Sequence, residues 1–399
     1  MTGFSVETFV VLLLIASVVA IISRRLKVAY SVGLVVAGIA IAVLPTGVDL
    51  PLTRELIFNV LLPPLVFEAA LQLDWTSFRR DLPLTLALAF PGVALAALVV
   101  AAGMHYAIGW SWMGAALFGV LIAATDPVAV LAAFKEIRVE RRLSGLVESE
   151  SLLNDGAAAV GFVLLASIAN GAALGVPQIG AALLWTVSGG VLAGVAVSGA
   201  LLLLSGRTSD QLVEITLTTI AAYGSFLLAE HVQASGVLAA LTAGLMVGNL
   251  GWRRSISESG RGHVIAFWEY VAFLANSFVF ILIGMQARTG NRLLTWAAFA
   301  AVGFVLLGRV AAVYPVCALF ARSKLALAYG GQHVLFWGGL RGALALALVL
   351  ALPASVPERD EIVVVAFAVV AFSIFVQGTT MPWLVRRLGL LERTDAPRD

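Results

Sequence analysis

Charge is what this chain has least of. Of its 399 residues only 12% are charged, 61% are hydrophobic, and the mean hydropathy is +1.00. Soluble domains carry about a quarter charged residues, which excludes an ordinary water-exposed fold and leaves an all-α polytopic membrane protein. Cysteine is almost missing as well: the single Cys317 excludes an internal disulfide or a cysteine metal site, and reads as a small packing residue. The four histidines, His105, His231, His263 and His333, have no metal-ligand spacing and suit loop or satisfied polar roles. A net charge of +2, scattered through short loops, gives no cationic surface for nucleic acid. With no HExxH sequence and no compelling nucleophile-base pair, an intramembrane enzyme is disfavoured and no cofactor is expected.

What is present is long apolar runs. At about 20 residues per span, they divide into thirteen candidates starting near residues 4, 28, 54, 82, 112, 143, 177, 212, 235, 264, 293, 326 and 361. The first run has neither a basic segment before it nor a small-residue cleavage pattern after it, so it reads as a retained span. Basic residues mark the cytoplasmic side. Loops after odd-numbered spans, with the tail, hold 19 lysines and arginines, from Arg24, Arg25 and Lys27 to Arg386, Arg387, Arg393 and Arg398. Loops after even-numbered spans hold 4, namely Arg54, Arg288, Arg292 and Arg359. That asymmetry predicts an odd span count, the N-terminus outside and the C-terminus in the cytoplasm, in a membrane of the prokaryotic inner type.

An internal echo links span 2, with Ala37-Gly38-Ile39, to span 9, with Ala243-Gly244-Leu245. Interrupted helices are predicted in span 5, at Thr125-Asp126-Pro127, and in span 12, around Gly338-Gly339-Leu340-Arg341-Gly342. Both pairs lie seven spans apart, and an odd offset reverses orientation in the membrane, which is the inverted-repeat plan of secondary transporters. Repeat one would cover about residues 1–172, a linker helix 177–205 and repeat two 210–388, with 389–399 a tail too short for a regulatory domain.

The few intramembrane charges are functional candidates, because an ionisable group in lipid costs about 3 kcal/mol or more. Pro127 has no amide hydrogen to give the Ala123 carbonyl and pushes Asp126 away from α geometry, so span 5 should unwind there; a simple packing kink is the alternative. Unwound backbone at that depth is tolerated where it is buried or lines a wet cavity, and its freed carbonyls suit a small hard cation. In span 6, helical spacing stacks Ser151 beneath Asp155 and Glu150 beneath Asn154. One face thus offers a carboxylate and a hydroxyl, oxygen ligands suited to an alkali cation. Glu68, after Pro63-Pro64, is either a ligand or a structural partner. Arg341 needs a counter-charge, for which Glu150 is the favoured candidate. Arg309 either snorkels to the inner surface or enters an ion pair.

The segments LLPPLVFEAAL (61–71), ATDPVAV (124–130), ESLLND (150–155), FWEYVAFLANSFVFILIG (267–284) and GLRGALA (339–345), in this order, resemble the cation:proton antiporter superfamily, in its NhaP-type sodium/proton exchanger branch, monovalent cation:proton antiporter family 1. The resemblance implies one exchanger domain over 1–399, two crossed discontinuous helices, and a homodimer in which a core domain moves against a dimerisation domain in an elevator-like cycle. It implies that Asp155 carries the proton or the cation and that Asn154 marks the exchanger branch, where the electrogenic branch has a second aspartate. It further implies that the Thr125 carbonyl, Asp126 and Ser151 complete or shape the site, that Glu68 is a nearby acid, and that Glu150 and Arg341 form a structural ion pair. Ser149 departs from the glycine often found there.

The function expected is exchange of a monovalent cation, Na+ first and Li+ or K+ as alternatives, for H+, by competition at Asp155. One-for-one, electroneutral stoichiometry is expected because Asn154 carries no second proton. Competing readings are a potassium/proton antiporter of the same fold, a cation channel using the same carboxylates, and a carrier of organic anions, which the paired acids disfavour. No partner beyond the bilayer and a second copy is expected.

Overall fold

A computed structural model describes residues 6–26, 29–43, 55–137, 139–171, 175–205, 210–251, 256–285 and 295–391. These residues are helical, and the one extended pairing among them is an isolated bridge between Val139 and Leu391. In chain order the helices are α1 Val6–Leu26, α2 Tyr30–Val43, α3 Leu56–Gln72, α4 Trp75–Ile108, α5 Trp112–Leu121, α6 Val128–Ile137, α7 Arg141–Ala169 and α8 Val176–Ser205. There follow α9 Gln211–His231, α10 Gly236–Gly251, α11 Glu258–Met285, α12 Trp296–Leu319, α13 Tyr329–Trp337, α14 Ala343–Leu350 and α15 Arg359–Arg387. Eight helical stretches among the described residues are long and apolar enough to cross a membrane. Of the topology-bearing cations, Lys27, Arg54, Arg138, Arg207, Arg253, Arg254, Arg288, Arg292, Arg393 and Arg398 lie outside the described residues, as does the tail beyond Leu391.

Helix starts follow local chemistry. Side chains of Asp74, Ser111, Asp210, Ser235 and Thr295 accept from free amides in the first turns of α4, α5, α9, α10 and α12. The Asp74 cap corrects a boundary: the fourth run was expected near residue 82, yet the helix begins at Trp75 and takes Arg79 and Arg80 into its first turns. Several long helices carry a π-helical turn, at Leu56–Leu61, Leu88–Gly92, Met104–Ile108, Val247–Gly251 and Ser373–Gly378. Pro91 sits inside one of them, where the ladder has to give way in any case.

Glycines let the helices cross closely, as expected where small residues rather than water drive packing. A Cβ on Gly38 of α2 would run into the Ile281 carbonyl of α11, and one on Gly284 would meet the backbone of α2 at Val35 and Gly38. On α10, a Cβ on Gly244 would lie 2.6 Å from the Phe67 carbonyl of α3, and one on Gly248 would strike the Leu71 carbonyl. The echoed glycines Gly38 and Gly244 therefore do the same job in different helix pairs.

The basic helix ends gather at one end of the molecule. Arg142, at the start of α7, reaches Asp81 of α4 at 3.2 Å and the carbonyls of Leu325 and Ala326 after α12, while Glu140 donates its amide to the Leu390 carbonyl beyond α15. At the opposite end, Glu358 before α15 accepts from the amide and hydroxyl of Ser111 before α5, both at 2.9 Å.

Candidate functional site

Two helices stop in mid-molecule and meet. The run α5–α6 is broken over 122–127 and the run α13–α14 over 338–342. The breaks are joined directly: the Asp126 amide donates to the Leu340 carbonyl at 2.7 Å. Pro127 leaves no amide for the Ala123 carbonyl, and Arg341 supplies the missing donor. Its Nη1 reaches the Ala123 oxygen at 2.8 Å and the Ala124 oxygen at 3.1 Å, so a buried guanidinium caps the end of α5 from the facing break. The Arg341 amide is held in turn by Ser373 Oγ of α15 at 3.1 Å.

Asp126 works largely as a cap. Its Oδ1 accepts from the Val128 amide at 2.9 Å, starting α6, and the Ala343 amide at the start of α14 also points to it. One carboxylate thus faces two helix N-termini, where negative charge is favoured. Gly342 is required beside it, because any Cβ there would overlap the Asp126 side chain.

The long helix α7 passes beside the crossing. A buried chain of polar contacts runs along it: Arg309 Nη1 and Nη2 of α12 donate to Glu150 at 2.6 and 3.2 Å, Asn154 Nδ2 donates to Glu150 Oε1 at 2.5 Å and to Thr125 Oγ1 at 3.2 Å, and Thr125 Oγ1 donates to Ser151 Oγ at 3.0 Å. The stacking of Asn154 on Glu150 one turn apart is as the spacing predicted. The pairing of Glu150 with Arg341 is not: Glu150 is taken by Arg309, which also donates to the Leu335 carbonyl of α13 at 2.8 Å. Arg309 therefore does not snorkel but lies buried in an ion pair. Arg309 and Arg341 are both lone intramembrane arginines and Glu150 can pair with either; the choice depends on how α12 packs on α7, which no local pattern records.

Asp155 comes next along α7. The Thr125 amide faces its carboxylate, and its Oδ1 is buried without a hydrogen-bond partner, as is Oδ1 of Asn154. Buried polar atoms normally find partners, so these unsatisfied oxygens on consecutive residues of α7 are places for a cation or a proton. Asp155 borders a cavity of about 580 Å³ that also touches Thr125, Asp126 and Glu68. Glu68 accepts from Gln72 one turn on. Ser151 and Asn154 are reached through Thr125 rather than lining the cavity themselves. Sequence reasoning did not single out Glu148 and Glu269, which line it too, making five carboxylates with no lysine, arginine or histidine among the described lining residues. Helical spacing alone does not tell that Glu148 of α7 and Glu269 of α11 face the same cavity as Asp155. The cavity runs from the breaks past Ser144 and Glu148 in the first turns of α7, toward the basic end.

Residues 11–387 match the transmembrane sodium/hydrogen exchanger family. The chain belongs to the sodium/hydrogen exchanger family. Among its relatives, the Na(+)/H(+) antiporter NhaS2 of Synechocystis is 37% identical over 390 residues, covering 96% of this chain and 71% of the relative. The Na(+)/H(+) antiporter NhaP of Pseudomonas aeruginosa is 34% identical over 346 residues, covering 84% and 81%. The structure of the sodium proton antiporter MjNhaP1 from Methanocaldococcus jannaschii superposes with a TM-score of 0.75 at 18% identity, over 96% of this chain and 97% of that one, which establishes a shared fold. As an exchanger-family member the chain is a multi-pass integral membrane protein and a secondary transporter rather than an enzyme.

Proposed function

We propose that this exchanger moves Na+ against H+ by letting the two compete for Asp155. The observation that carries the reading is the unpartnered, buried Asp155 oxygen at the crossing of two broken helices, beside a cavity whose charged lining residues, among those described, are all acids. A bare carboxylate in such a place is unstable unless a charge or a proton neutralises it. Either guest suffices and neither tolerates the other. If only the neutralised site can reorient, exchange follows without a separate coupling device. The Asn154 oxygen, on the neighbouring residue, is a candidate second ligand, and the ion-pair network holds the Asn154 side chain in place. Because Asn154 is neutral, one proton exchanges for one cation and the cycle is electroneutral.

The packing supports the expected plan of thirteen spans with an inverted repeat. The α2–α11 and α10–α3 crossings are exchanged when each span is replaced by the one seven away, and the two breaks replace each other. The cavity reaches the basic end, which the charge rule makes cytoplasmic, so this is the inward-open half of the cycle, in a homodimer of the prokaryotic inner membrane with its C-terminus inside. Relatives named as Na(+)/H(+) antiporters favour sodium over potassium. Dequenching of a pH dye in everted vesicles, with Na+, Li+ and K+ in turn, tests exchange, coupling and selectivity together. Sodium-dependent dequenching that is lost in Asp155→Asn is the expected result. Dequenching only with potassium would move the cargo, and none with any alkali cation would remove the reading.

A further inference from the structure

A second hollow, of about 330 Å³, lies between α12, α13 and α15 and shares no lining residue with the acidic cavity. Phe336, Trp337, Trp383 and Leu384 give it apolar walls. Its polar groups are already engaged: Tyr314 Oη pairs with His333 Nδ1 at 2.6 Å, and Trp337 Nε1 donates to Thr380 Oγ1 at 2.8 Å. Trp383 is 58% exposed, on a helix that ends in Arg386 and Arg387, and the Arg387 guanidinium sits 5.0 Å over its ring. An aromatic-walled hollow at the basic helix ends lies where tryptophan and arginine meet the bilayer interface. Among the described lining residues there is no carboxylate, and the Arg387 guanidinium stands over the Trp383 ring, its planar fork suited to a phosphate.

We infer that this hollow binds an anionic phospholipid of the leaflet on the arginine side, one acyl chain lying between Phe336, Trp337 and Trp383 and the phosphate on Arg387. The charge complementarity selects anionic over zwitterionic headgroups. The site bears on transport through Trp337, the last residue before the break at 338–342, whose carbonyl is held by Gln377 Nε2 at 3.1 Å. A chain wedged against that ring restrains the half-helix at the end that leads into the break, where the Leu340 carbonyl meets Asp126. Neither Trp383 nor Arg387 touches the acidic cavity, so the site extends the transport reading without depending on it.

The test is thermal melting of the purified full-length protein in dodecyl maltoside, with dioleoyl phosphatidylglycerol or dioleoyl phosphatidylcholine added at equal mole ratio. A ligand that binds only the folded state raises Tm. Phosphatidylglycerol should raise the wild-type Tm several degrees more than phosphatidylcholine, Arg387→Gln should abolish the difference, and Trp383→Ala should lose both shifts. Should alanine prevent folding, Trp383→Phe serves instead: phosphatidylglycerol with brominated chains should quench a tryptophan component of the wild type that this variant lacks. Equal shifts with the two lipids, or an undiminished preference in Arg387→Gln, would overturn the site. A shift reproduced by extra detergent alone would show a non-selective apolar cleft and overturn it too.

Discussion

Removing Arg309 should unfold this protein more readily than any other single charge change, and the reason lies in three contacts on Glu150. The carboxylate takes both Arg309 nitrogens, at 2.6 and 3.2 Å, and the Asn154 amide at 2.5 Å, all out of water. Arg309→Met strands the Glu150 charge, at a cost of about 3–5 kcal/mol for breaking a buried pair from one side. It also leaves the Leu335 carbonyl without its donor, adding about 1–3 kcal/mol. Glu150→Gln strands the cation instead and should cost a similar amount, about 3–5 kcal/mol. The double variant removes both charges and keeps an amide beside Asn154, so the two penalties should not add, with a coupling of about 2–3 kcal/mol. Denaturant unfolding of the purified variants, with monodisperse yield as a check, measures the cycle. The same cycle for Glu150 with Arg341→Met should show a clearly smaller coupling, since Arg341 makes no hydrogen bond to Glu150 and donates instead to the Ala123 and Ala124 carbonyls. Strong coupling to Arg341 and none to Arg309 would refute the assignment.

Asp155→Asn should fold normally, because its Oδ1 has no partner to lose, and should abolish sodium-driven proton flux in vesicles. Gly342→Ala should slow exchange about tenfold or more while leaving the protein folded, since the new methyl displaces Asp126 from the two helix starts it faces; vesicle flux normalised to protein amount reads it. Gly38→Val should lower stability by about 1–3 kcal/mol through overpacking against the Ile281 carbonyl, measured by melting. Apparent sodium affinity should fall by up to about tenfold per pH unit on acidification, as protons take the site, and a KM for sodium independent of pH would count against competition.

Much of this is legible in the sequence. Pro127 forced the first break, and the glycine run at 338–342 announced the second, because both effects are local to the backbone. The stacking of Asn154 on Glu150 in α7 follows from helical spacing alone. The partner of Glu150 did not follow, because Arg309 and Arg341 are equally lonely in sequence and only the packing of α12 separates them. Asp126 looked like a ligand, and its hydrogen bonds to backbone amides make it first a cap, a role that needs the facing break to be in place. Glu148 and Glu269 are not legible as cavity residues, because only the packing of α7 and α11 brings them to one hollow. The π-helical turns in α3, α4, α10 and α15 were equally silent, apart from the one that holds Pro91.

Competition at one carboxylate is tested most directly by titrating sodium into the purified protein in a calorimeter, in two buffers of different ionisation enthalpy at the same pH. The heat should differ between buffers by an amount equal to release of up to one proton per sodium bound, and Asp155→Asn should give no such difference. Sodium binding with the same heat in both buffers would contradict the shared site.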